Sequence, residues 1–134
     1  MTQTLSSFID KLERLNSGSF IGEVRRQVAT EGLKLISKGY RDSSDPYGNR
    51  WHALKSGFRK PLVLTGSFRD TWMAYPTPSG VRFVNGVDYG AFHQYGTKNI
   101  PVRMVIPKTY LGLPKPWTDV IARAYTKRVR GALT

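Results

Sequence analysis

Apolar residues at Leu5, Phe8, Ile9, Leu12 and Leu15 recur in steps of three and four, the spacing that gathers side chains on one face of a helix. The pattern predicts a first helix ended by Asn16-Ser17-Gly18. A second stripe, Ile21, Val24, Val28 and Leu35, predicts a longer helix from about Phe20 to Lys38, with Gly39 as its C-terminal cap and Arg25, Arg26, Lys34 and Lys38 on the polar side. Arg41 to Asn49 (RDSSDPYGN) is dense in turn formers and reads as an exposed reversing loop. Thr65 or Ser67 stands where it would cap a short helical turn through Asp70.

Alternation then takes over from helical spacing. Thr71 to Tyr75 and Val81 to Asn85 read as two strands joined by the loop Pro76-Thr77-Pro78-Ser79-Gly80, and Arg82 between Val81 and Phe83 suits a sheet with one wet face. Tyr89 to Tyr95 predicts a short helix closed by Gly96. Ile100-Pro101 and Ile106-Pro107 bracket an extended Val102 to Val105, because proline resists helix and biases the residue before it toward extended backbone. Pro116 begins a last helix reaching about Arg130, with Trp117, Val120, Ile121 and Ala124 facing inward. Together these elements predict an α+β fold, a small antiparallel sheet packed with N-terminal helices and a C-terminal helix, in a single domain spanning residues 1–134.

Composition narrows the chemistry. The 134 residues contain no cysteine, which excludes disulfides, thiolate metal sites and cysteine nucleophiles, so packing holds the domain together. No apolar run approaches the ~18 residues that span a bilayer, and Met1-Thr2-Gln3-Thr4 lacks the layout of a secretory signal. The expectation is a soluble protein made in the cytoplasm, with no membrane partner. The formal charge is +12, and from Tyr89 onward eight basic residues face Asp119 alone. Such a charge attracts polyanions, but it equally serves as a solubilising coat. Arg123, Lys127 and Arg130, at i, i+4 and i+7, would form one basic ridge for phosphates or for a partner's carboxylates.

Catalytic signatures are sparse. His52 and His93 have no second ligand at metal-binding spacing, and no cofactor or metal is expected. Asp88 precedes His93 closely, yet no strained nucleophile turn of the G-x-S-x-G type accompanies them. With Tyr89, Phe92 and Tyr95 as neighbours, His93 reads as a packed structural histidine. Asp45 and Asn49 lack the alternating ligands and terminal Glu of a calcium loop. Asp10, Glu13, Glu23 and Glu31 lie on predicted helices beside basic residues, as in ordinary surface pairing. Trp51, Phe58 and Trp117 near Arg50, Lys55, Arg59, Lys60 and Lys115 fit stacked bases and phosphates, although Trp117 also falls on the apolar stripe of the last helix. The expectation is a non-enzyme.

Four segments in order then carry a resemblance: Asp45 to Leu54 (DPYGNRWHAL), Leu64 to Thr71 (LTGSFRDT), Val87 to Gly96 (VDYGAFHQYG) and Ile100 to Arg103 (IPVR). Their order resembles phage virion morphogenesis proteins, the tail-completion or neck proteins of tailed phages. Tyr89, His93, Gln94 and Gly96 match one motif of that family at its spacing, with Tyr95 where Phe is usual. Pro101 and Arg103, after Ile100, match another, with Met104 and Val105 where Pro-Phe is typical. The resemblance covers roughly Asp45 to Pro107. It implies a non-catalytic virion subunit that completes the tail or joins it to the head connector. Its implied partners are further copies of itself in a ring of six, the head connector, the tail terminator or tail tube, and DNA passing through the channel. On this reading Tyr89, His93, Gln94, Gly96, Pro101 and Arg103 are structural: the segment fixes the sheet against the final helix, and Arg103 anchors a loop by pairing with an acid or with backbone carbonyls. The alternative is a small basic nucleic-acid-binding protein; a third reading, a compact ribonuclease-like toxin, needs His93 exposed in a cleft.

Overall fold

A single long helix organises the chain. The computed structural model describes residues 5–15, 18–52, 67–87, 90–98 and 101–133. Helix α1 runs Leu5–Leu15 and α2 Gly18–Asp42, followed by the short α3 at Ser67–Asp70. Strands β1 (Trp72–Thr77) and β2 (Gly80–Asn85) form an antiparallel hairpin, α4 covers Gly90–Tyr95, a 3-10 turn covers Thr109–Leu111, and α5 spans Lys115–Leu133. At 25 residues α2 is about 37 Å long. It packs against α5 along one side and the hairpin along another. The result is a small α+β fold, as the periodicities predict.

Several details differ from the sequence expectation. Gly39 does not cap α2 but lies inside it. The helix ends one turn later in a Schellman arrangement, where Ser43, at φ 53°, donates its N–H to the Tyr40 carbonyl at 3.4 Å and Ser44 donates to the Gly39 carbonyl at 3.0 Å. A Cβ at Gly39 would meet that Ser44 carbonyl oxygen at 3.1 Å, so the glycine leaves room for the close. The hairpin loop is shorter than expected: Thr77 pairs with Gly80, leaving only Pro78 and Ser79 between the strands. Ile121, expected inward, is 38% exposed, because the inward stripe of α5 is centred on Trp117, Val120 and Ala124.

The core has two centres. Near the C-terminal end of α2, Ile36 and Tyr40 meet Trp51, Val105 and Trp117; near its start, Phe20, Val24 and Val28 meet Ala124. Gly32 lies between them. A side chain there would come within 2.7 Å of Phe83 Cε1 and 3.3 Å of Trp117 Cζ3, so this glycine admits β2 and α5 to the same stretch of α2. Phe83 and Trp117 meet edge-on over it, their centroids 5.3 Å apart.

Candidate functional site

The loop after α2 folds around one carboxylate. Asp45 Oδ1 accepts the backbone N–H groups of Tyr47 at 2.8 Å and Asn49 at 2.9 Å, while Asp45 N donates to the Asn49 carbonyl at 2.8 Å. Gly48, at φ 88°, supplies the left-handed turn inside it. The reversal brings Ser44 opposite Arg50 and delivers Trp51 to the core. There the Trp51 indole N–H donates to the Met104 carbonyl at 2.8 Å, and its ring meets Tyr40 edge-on. The Tyr40 hydroxyl in turn accepts the Trp72 indole N–H at 2.9 Å, linking α2 to β1. Tyr47 ties the same loop to the Gly112 carbonyl.

Helix α4 supplies the other half. Gln94 is buried, and its side chain does the work of a missing strand: Oε1 accepts Val105 N–H at 2.8 Å and Ile106 N–H at 3.2 Å, and Nε2 donates to the Ile106 carbonyl at 2.8 Å. The chain at 103–106 pairs with no strand among the described residues, so one amide group satisfies three main-chain groups that burial would otherwise leave costly. One residue earlier, the His93 carbonyl accepts Arg103 N–H at 2.7 Å. Gly96, at φ 76°, closes α4 by donating to the Phe92 carbonyl at 2.8 Å.

Arg103 is buried beside them and donates Nε to the His52 carbonyl at 2.8 Å, so the anchor expected from the sequence is made to a backbone carbonyl. Burial pulls its guanidinium down from the ordinary value, although an arginine stays charged throughout. Burial also lowers the pKa of His93, and the nearby positive charge of Arg103 lowers it further. Both effects favour neutral imidazole.

Three of the four segments singled out in the sequence thus converge on one knot: Trp51 and His52 from the first, His93, Gln94 and Gly96 from the third, Arg103 from the fourth. Pro101 lies exposed at its edge. Tyr89 falls outside the described residues, as do Ile100, Asp88 and the stretch 53–66 with Lys55, Phe58, Arg59, Lys60 and Thr65. Of the second segment, Ser67–Asp70 forms α3, where Arg69 Nε and Asp70 Oδ1 pair at 2.7 Å on the surface. Trp51 and Trp117 are buried and present no face to a stacking base. Arg123, Lys127 and Arg130 are all exposed along α5, apart from the knot. Sequence reasoning missed Gln94 as a backbone surrogate, Tyr40 and Gly32; a helix glycine amid large residues was the available signal for the last.

A cleft of ≈ 410 Å³ opens between the end of α2, the 44–48 loop and the start of α5. Its carboxylates are already engaged, Asp42 with Lys38 at 2.9 Å and Asp45 with its own loop. Among the described residues no three His, Asp or Glu side chains lie close enough to share a metal ion. Comparison with protein-family models, with curated proteins and with solved structures finds no match for this chain.

Proposed function

We propose that this chain is a structural subunit of a tailed-phage virion that completes the tail or joins it to the head connector, acting by ring assembly. The observation that carries the reading is the use made of the resemblance-bearing residues. Gln94, Arg103 and Trp51 spend their polar groups on main-chain atoms of neighbouring segments, which is the behaviour of a scaffold. The groups left to meet partners lie elsewhere: exposed apolar side chains on α1 and β1, exposed aromatics at Phe92, Tyr95 and Tyr110, and the basic α5. Neighbours in the assembly would be further copies, the connector and the tail terminator or tube, with transiting DNA facing part of the basic charge.

Electron microscopy of virions carrying an affinity-tagged copy tests this. A ring of tag density at the neck or tail end is the expected result, and its absence from purified virions would overturn the reading. The exposed ridge of Arg123, Lys127 and Arg130 favours a second reading, direct binding of nucleic acid. Three phosphate contacts predict a slope of log affinity against log salt of about −2.7, and a triple Ala variant should remove it. A flat salt response in the wild type eliminates that reading.

A further inference from the structure

Three apolar side chains of the first helix face solvent. Leu5, Ile9 and Leu12 share one stripe of α1 yet are 74%, 44% and 43% exposed. The side toward the body carries Ser7 and Lys11, both half-buried, and Lys11 Nζ donates to the Leu133 carbonyl at 3.1 Å. A stripe of three adjacent aliphatic side chains left in water marks a surface that something covers.

Charge indicates what covers it. Glu23, Glu31, Asp42, Asp70 and Asp119 each have a basic side chain within 4.0 Å. Asp10 and Glu13, both exposed beside the apolar stripe, have no such partner among the described residues. An apolar stripe with an acidic border suits a basic partner, and a chain of formal charge +12 is one.

The same chain carries a matching acceptor. A groove of ≈ 400 Å³ runs between α2, β2 and α5, walled by Val28, Val81, Pro107, Leu113, Trp117 and Ile121. Arg25, which donates Nη1 to the Thr77 carbonyl at 3.0 Å, is its one charged lining residue among those described. Ile121 lies about 18 Å along α5 from the Leu133 end on which α1 rests. Donor stripe and acceptor groove are therefore separate surfaces of one molecule.

We infer that α1 of one copy docks Leu5, Ile9 and Leu12 into the α2–β2–α5 groove of a second copy, with Asp10 and Glu13 facing Arg25; this rests on the assembly reading above and names its contact. Because donor and acceptor differ, the contact is heterologous, and it closes into a ring or grows into a filament.

Two variants of the full chain test it by sedimentation velocity. A donor-defective copy carries Ile9→Glu and Leu12→Glu; a groove-defective copy carries Leu113→Glu, at an exposed loop position. The wild type should self-associate with concentration. Each variant alone should associate at least about tenfold more weakly, with circular dichroism confirming the fold. An equimolar mixture should form a dimer and stop there, since one copy retains the helix and the other the groove. A wild type that stays monomeric at hundreds of micromolar overturns the docking. So does a groove variant that still pairs through α1, or a monomeric wild type whose α1 binds anionic vesicles. If virions hold a ring that neither variant disturbs, the docking is wrong and the virion reading stands; if the mixture pairs but virions lack the protein, the docking stands and the virion reading falls.

Discussion

In the knot around Gln94 an amide and a guanidinium lie inside the protein, whereas in α1 three aliphatic side chains lie outside it. Both invert the ordinary partition of side chains, for different reasons. The buried groups are tolerated because their hydrogen bonds satisfy main-chain groups of neighbouring segments, Gln94 those of Val105 and Ile106 and Arg103 that of His52. The exposed aliphatics are only partly covered by the described residues of the chain. The first inversion therefore belongs to the stability of the single chain, and the second is the surface on which the proposed docking rests.

The largest expected effect comes from breaking the knot. Gln94→Leu keeps volume but strands two N–H groups and one carbonyl, and urea denaturation should show a loss of about 3 kcal/mol. A smaller effect follows pH. Folded His93 binds its proton less tightly than the unfolded chain does, so below the ordinary histidine value of 6.5 the unfolded state holds more protons. Stability should fall as pH drops through that range and not above it. His93→Asn should flatten that part of the profile, and an identical profile in the variant would remove His93 as the cause. The smallest effect belongs to α1: Leu5→Ser in dilute solution should leave the unfolding free energy within about 0.5 kcal/mol of wild type, since that side chain is 74% exposed. A loss several times larger would mean that α1 contributes to the core of the single chain.

The elements themselves were legible because periodicity is local. The three-and-four spacing in α1, the alternation around Arg82 and the Pro116 start of α5 each located an element within a few residues. What misled were positions whose meaning depends on distant atoms. Gly39 looked like a cap because glycine often ends helices, yet its role is to clear the Ser44 carbonyl. Ile121 fits the helical spacing of α5, but Trp117, Val120 and Ala124 already fill the inward arc. His93, expected to be structural from its sequence neighbours, lends its carbonyl to the Arg103 N–H, while Gln94 beside it carries the denser set of bonds.

By itself the sequence determined the class of fold, the absence of thiol chemistry and the basic charge, since these follow from composition and from spacings of two to four residues. Tertiary structure alone decided that Gln94, Arg103 and Trp51 form one knot, that Gly32 is the crossing point of β2 and α5, and that Leu5, Ile9 and Leu12 of α1 are exposed. The physical reason is the range of the interactions. An apolar period states that a helix has a face to cover, but which surface covers it depends on packing between segments far apart in the chain.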